Sequence, residues 1–182
     1  MSFHPTTQRL VMRAPMVTDM PDFIALLGDY DVAKNLRQVP QPYTAAHFDS
    51  FLRKSEAKRR AREGFAWAVT RAMDGALLGL CAIDRNEDGI WEFGYWYGKA
   101  YWNQGYATEA ARPVLRFAFE DMTVERLTAG WFDDNPASGA VLSKLGFSAT
   151  CSMRVHAVGR GCEVLSNRVQ LTRDEFTRKK AL

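Results

Sequence analysis

Cysteine is scarce in this chain. Cys81, Cys151 and Cys162 are three in 182 residues, odd in number and without a CxxC spacing. That pattern reads as reduced thiols in a cytoplasmic protein. Long apolar runs are missing too. The opening MSFHPTTQRLVMRAP has no apolar core long enough for a signal peptide, and no stretch approaches the roughly 18 apolar residues of a membrane span. His4, His47 and His156 have no metal-ligand spacing, so no metal is expected. There is no GxSxG, no Walker loop and no Rossmann GxGxxG, since Gly159-Arg160-Gly161 lacks a third glycine. Nucleophilic-hydrolase and nucleotide-kinase chemistry therefore lack support. No repeat and no low-complexity tract interrupts the chain.

What remains is an ordinary globular composition, 47% hydrophobic and 25% charged. The length suits one domain that buries roughly 70% of its unfolded surface. The net charge of +3 does not by itself imply nucleic acid. Residues 53–63, RKSEAKRRARE, carry six cations and two carboxylates. They read either as a solvated helix face with spaced charge pairs or as a cationic rim for a phosphate-rich ligand or acidic partner.

Residues 9–15 alternate well enough for a first strand. Thr18 can cap a helix over 19–27, and Thr44 a second over 45–62 that Gly64 stops. Residues 29–42, with Pro40 and Pro42, read as helix then loop. Strand-like segments follow at 65–72, 76–84, 90–98 and 125–132. Two Asp-Gly turns, Met73-Asp74-Gly75 and Asn86-Glu87-Asp88-Gly89, join the first three. Helices are expected over 106–120, with Pro113 kinking it, and over 136–144, ending at Gly146. Strands near 148–158 and 162–172 close the chain. The order β-β-β-α-β-α-β-β implies an α/β layered fold with a mixed sheet.

Two short units carry chemistry. YWNQGYATEA (101–110) follows a strand and opens a helix. A helix N-terminus presents free N–H groups and partial positive charge, and Gly105 and Ala107 keep side chains clear of it, as a diphosphate would require. NPASGAVLSKLGF (135–147) starts with Asn135 at the N-cap and Pro136 at the first helical position. Each unit alone is also compatible with a purely structural turn or cap.

Together they resemble the GNAT acyltransferases, and within them the RimJ/RimL-type branch that acetylates ribosomal-protein N-termini. TTQRLVMRAPMVTDMPDFIALL is similar to that branch's opening strand and helix, WEFGYWY to its central strand and VQLTRDEF to its closing strand and tail, so the resemblance covers nearly the whole chain. It implies a single GNAT-like domain over 1–182 with a mixed, mostly antiparallel central sheet of six to seven strands flanked by helices. Residues 5–64 would cover the acceptor side, 65–147 would form the cofactor-binding core, and 148–182 the C-terminal hairpin and tail. It implies acetyl-CoA as acetyl donor, with the diphosphate on the N–H groups of about Asn103, Gln104, Gly105, Tyr106, Ala107 and Thr108, and with Trp102 beside them as a further cofactor-binding residue. The pantetheine arm would lie along Tyr95, Trp96 and Tyr97 like an added strand and bond to Asn135. Trp102 departs from the glutamine or arginine that often begins the family's loop.

Amide formation from a thioester needs a neutral amine, a donor for the oxyanion and help for the leaving thiolate. Glu92, among the aromatics of IWEFGYWY, is the candidate base, with burial expected to raise its pKa. An exposed carboxylate or a structural ion pair is the other reading of that residue. The resemblance implies that it acts through water and that a backbone N–H near Trp96 or Tyr97 meets the oxyanion. No tyrosine follows Tyr106, so the tyrosine that many relatives use for the thiolate is missing, and the branch's serine matches Ser138. The acceptor would be a peptide N-terminus or a small amine, with Tyr30, Tyr43, Trp67, Trp91, Trp131 and Arg154 available for its groove, and with core packing as the other reading of most of these aromatics. The expected protein is a monomer or homodimer. A non-catalytic CoA-binding module and a basic ribosome- or RNA-associated protein remain as alternatives.

Overall fold

The apolar segments separated by Asp-Gly turns pair as an antiparallel meander. The computed structural model describes residues 3–86 and 88–180, so Glu87 of the second turn lies outside them. The elements are β1 (Leu10–Arg13), α1 (Met20–Gly28), α2 (Tyr30–Ala33), α3 (Ala45–Ala61), β2 (Gly64–Arg71), β3 (Leu77–Arg85) and β4 (Trp91–Tyr97). Then come α4 (Tyr106–Arg116), β5 (Arg126–Phe132), α5 (Pro136–Leu145), β6 (Ser148–Ala157), β7 (Cys162–Thr172) and α6 (Arg173–Lys180). The seven strands form one sheet in the order β1-β2-β3-β4-β5-β7-β6. Every neighbouring pair is antiparallel except β4–β5, as expected when the helix α4 carries the chain across.

Each face of the sheet buries its own core. Phe65, Trp67 and Val69 of β2 point with Phe93 and Tyr97 of β4 towards α4 and α5. Ala66 and Ala68 of β2 point with Leu80 of β3 to the other face, under Phe23 and Leu27 of α1 and Phe48 of α3. This explains why β2 is apolar along its whole length: both faces are covered. Each fully buried side chain of this kind contributes about 1.5–3 kcal/mol. In α4, Ala110, Ala111, Val114 and Leu115 face the sheet while Arg112 and Arg116 face solvent, the spacing of an amphipathic helix.

Three local expectations change. Thr18 does not cap α1. Residues Val17–Asp19 form a 3₁₀ turn, and the carboxylate of Asp19, 4% exposed, accepts from the Met16 N–H at 2.8 Å. The residue that ends α3 is Arg62, in the left-handed conformation at φ 58°, whereas Gly64 lies inside β2. Pro113 sits within α4, whose α-helical winding continues to Arg116 and then widens into a π turn over Phe117–Asp121.

Candidate active site

The sheet is open in its middle. The β4–β5 ladder consists of Trp91↔Leu127 and Glu92↔Thr128 and then stops. Beyond it, Phe93–Tyr97 pair with β3, and Ala129–Phe132 pair with β7. The Gly98 N–H donates to the Leu78 carbonyl at 2.9 Å, which sets the alternation along β4. The main-chain groups of Gly94 and Trp96 therefore go to β3, and those of Tyr95 and the N–H of Tyr97 turn into the gap. Of the two N–H groups expected to meet an oxyanion, only that of Tyr97 faces the gap. Trp96 turns its main chain to β3, and its half-buried indole lies on the Glu92 face against Phe23, 5.2 Å between centroids.

The loop after β4 closes one end of the gap. Trp102 donates its indole N–H to the Tyr97 carbonyl at 2.7 Å, Gln104 donates its side-chain amide to the Ala100 carbonyl at 2.8 Å, and Asn103 takes a left-handed turn at φ 60°. Gly105 is the N-cap of α4 at φ 80°, with no side chain to cap the helix. A Cβ there would meet Arg9 Nη2 at 3.5 Å. The N–H groups of Tyr106, Ala107 and Thr108 are thus bare in the first turn, the arrangement that binds anions. These residues fit a CoA diphosphate, and the exposed edge of β4 fits an extended arm beside it.

Sequence reasoning did not single out Arg9 or Glu109 here. Arg9 donates to Glu109 Oε2 at 2.7 Å and to the Gln104 carbonyl at 3.1 Å, and stacks its guanidinium 4.5 Å from the Tyr106 ring centre. Burial opposes the Glu109 charge, but hydrogen bonds from Thr7 and Arg9 outweigh it and hold the carboxyl below its usual pKa. β1 is thereby tied to the start of α4. No signal in the sequence joins them, since two residues 100 apart cannot be paired from spacing.

The proposed catalytic residues border the gap on opposite faces. Glu92 lies on the face of α1 and α3. It is not enclosed by aromatics: its side chain is 36% exposed and accepts from Arg168 Nη1 at 2.7 Å. Arg168 reaches it across Gly130 of β5, where a Cβ would lie 2.6 Å from the guanidinium. Asp84 stands directly opposite Glu92 on β3 and pairs with Lys58 at 3.3 Å. A Cβ at Gly94, next on that face, would meet nothing within 4 Å, so the surface beside Glu92 is open. Ser138 lies on the other face, in the first turn of α5, where Asn135 caps its N–H at 3.4 Å. Its hydroxyl sits 2.8 Å from the Tyr95 hydroxyl.

Of the two readings of the groove aromatics, core packing holds for most. Trp67 and Tyr43 are buried, and Trp67, Trp91 and Trp131 pack on the α4–α5 face, opposite to Glu92. Arg154 pairs with Leu165 and shares that opposite face. Tyr30, 54% exposed, is the one of the six that is open on the Glu92 side. The charge run also divides. Arg53, Lys54, Arg60 and Arg62 are exposed, but Lys58 pairs with Asp84, and Arg59 turns inward to the Ala66 carbonyl and over Trp67. Cys81 is buried, and Cys151 and Cys162 are exposed and unbridged. Among the described residues no helix is long and apolar enough to cross a membrane, and no cluster of three or more His, Cys, Asp or Glu could hold a metal.

Known proteins share this fold. The acetyltransferase (GNAT) domain family matches residues 9–148. The uncharacterized N-acetyltransferase YjdG of Bacillus subtilis is 31% identical over 100 residues, 53% of this chain and 60% of its own length. A GNAT-family acetyltransferase from Bacillus anthracis superposes with a TM-score of 0.80 at 20% identity, covering 95% of this chain and all, 100%, of that one. Mycobacterium smegmatis RimJ, solved in complex with CoA-disulfide, superposes with a TM-score of 0.78 at 19% identity, covering 91% of this chain and 83% of its own. The chain belongs to the GNAT acetyltransferase family and is an acyltransferase.

Proposed function

We propose that this protein is an acetyl-CoA-dependent N-acetyltransferase of RimJ/RimL type that acylates a primary amine in a ternary complex. The observation that carries the reading is the gap between β4 and β5 with the bare start of α4 at its end. The acceptor is a peptide N-terminus or a small amine, and the open surface around Glu92 and Gly94 is where it docks. Three free thiols suit a reducing compartment, the cytoplasm. Residues 5–64 cover the acceptor side, 65–147 hold the cofactor, and 148–182 complete the groove.

Bound acetyl-CoA supplies a thioester whose carbonyl carbon accepts the amine nitrogen and whose sulfur leaves with the C–S electron pair. The chain supplies the rest. N–H groups from Asn103 to Thr108 hold the diphosphate, with Trp102 bracing the loop, and the gap-facing edge at Tyr95 and Tyr97 aligns the arm, with Asn135 beside it. An alkylammonium, of pKa about 10, must lose a proton to attack. Glu92 takes it through a water at the oxygen that Arg168 leaves free. The Tyr97 N–H stabilises the oxyanion, and Ser138 gives a hydrogen bond to the departing sulfur.

Calorimetric titration tests the cofactor first. Acetyl-CoA and CoA are expected to bind at micromolar levels and ATP not at all; absence of binding by both removes the reading. Amines and N-terminal peptides are then screened by thiol release. Binding without turnover across the screen would leave a non-catalytic CoA-binding module. With an acceptor in hand, Glu92→Gln is expected to lower turnover by about 100-fold while acetyl-CoA affinity stays within about twofold, since Glu92 lies on the opposite face from the loop. A wild-type rate in that variant excludes Glu92 as base.

A further inference from the structure

Ser138 has a hydroxyl with one proton, and in this structure its neighbour competes for the direction of that proton. The Tyr95 hydroxyl lies 2.8 Å from Ser138 Oγ and 3.1 Å from the Ser138 carbonyl oxygen. A carbonyl only accepts. When Tyr95 donates to it, Ser138 donates to Tyr95, and its proton is turned away from the gap. When Tyr95 donates to Ser138 Oγ instead, the serine proton is free to point at a sulfur.

We infer that Tyr95 is a positioning residue whose hydroxyl sets the direction of the Ser138 hydrogen bond, so that the two form a reversible relay for the leaving thiolate. This rests on the acetyltransferase reading above. The geometry that carries it is the bridge itself. Tyr95 lies on the stretch of β4 that has no β5 partner, and Ser138 lies just past the end of β5, so their hydroxyls join the two borders of the gap on one face. The Tyr95 ring is wedged between Phe93 and Tyr97, 5.6 and 6.3 Å between centroids, which fixes where its hydroxyl ends.

The chain has no tyrosine after Tyr106, so the second helix cannot supply a phenol. The relay brings one from the central strand instead. It moves no proton between atoms: both hydroxyls keep theirs, and only the order of donation reverses. Burial pushes the Tyr95 phenol up to about 12, with the Ser138 hydrogen bond opposing in part, so it remains a donor at neutral pH. Two hydroxyls in a chain polarise one another, which makes the terminal bond to an anionic sulfur stronger than a lone serine would give.

The test pairs binding with turnover in Tyr95→Phe, Ser138→Ala and the double variant. Calorimetry compares CoA with desulfo-CoA, which lacks the sulfur, at a pH near the thiol's ordinary pKa of about 8.5. Wild type is expected to prefer CoA by about 10-fold, the scale of a hydrogen bond to a charged group. Tyr95→Phe and Ser138→Ala should each reduce the preference to about threefold or less, and the double variant no further. Turnover should follow the same non-additive pattern, with acetyl-CoA affinity nearly unchanged. Ser138→Thr, which keeps a hydroxyl, should retain the preference. A Tyr95→Phe protein with wild-type preference and turnover overturns the relay, as does an undiminished effect of Tyr95→Phe in the Ser138→Ala background. If wild type binds neither CoA nor desulfo-CoA, the acetyltransferase reading falls and the relay with it.

Discussion

Gly105→Glu is expected to weaken acetyl-CoA binding by about 100-fold or more, equivalent to about 2.7 kcal/mol. Three effects add. Gly105 sits at φ 80°, where any L side chain costs about 1–2 kcal/mol. The new carboxylate stands at the mouth of α4, where it can satisfy the bare N–H groups of Tyr106 to Thr108 and reach Arg9, so the anion site becomes self-occupied. A negative charge then faces an incoming diphosphate across a few ångströms. Gly105→Ala separates these effects. Its Cβ meets only Arg9 Nη2 at 3.5 Å, an ordinary contact, so it carries the backbone strain without the charge and should lose only a few-fold in affinity. Calorimetry on both variants decides. Unchanged affinity in Gly105→Glu would mean that the loop is a turn and nothing more.

Asp19→Ala is expected to destabilise the fold by about 3 kcal/mol, the lower end of the range for stripping one partner from a buried ion pair. Asp19 accepts from Arg13 Nη1 at 2.8 Å and Nη2 at 2.6 Å, and from the Met16 N–H. The fork-to-fork geometry raises the Arg13 pKa, with burial opposing. Alanine leaves a guanidinium, 27% exposed, that keeps the Ala14 carbonyl at 3.2 Å but loses its charged partner, and a Met16 N–H that loses its acceptor. For a chain of this size the loss corresponds to a fall in melting temperature of about 6–12 °C. Replacing both partners with apolar residues, Arg13→Met with Asp19→Leu, should recover part of it, because no uncompensated charge remains. A single-variant loss below about 1 kcal/mol would show that water replaces the carboxylate at little cost. Since the pair ties the end of β1 to the start of α1, its removal should also loosen the helix that covers Glu92's side of the sheet.

Elements and their order were legible because local chemistry writes them. The two Asp-Gly turns mark the meander, Asn135-Pro136 marks the start of α5, and Gly146, at φ 103°, marks its end. What local chemistry does not write is which face of a strand is covered by what. β2 is buried on both sides, so its pattern offers no alternation from which to assign Trp67 to one core and Ala66 to the other. For that reason residue type could mark most of the groove aromatics as core, but not say which core each joins. Thr18 lost to Asp19 because a capping preference is weaker than a buried carboxylate that serves Arg13 as well. Glu92 was visible as a strand carboxylate, but its partner is not: Arg168 lies 76 residues away and comes within reach because β7 inserts between β5 and β6. The Tyr95–Ser138 contact hides in the same way, across the gap.

The short β4–β5 ladder has a consequence for the life of the protein as well as its chemistry. Two rungs join the leaves of the sheet at one end, and on the reading above the rest of that seam is supplied by the ligand. A guest that binds only the folded form stabilises it by mass action, about 2.7 kcal/mol at a hundredfold excess over Kd. Folding and occupancy then share one equilibrium. On that reading the melting temperature rises with the concentration of the ligand, and the chain is more easily opened and proteolysed where the ligand is scarce.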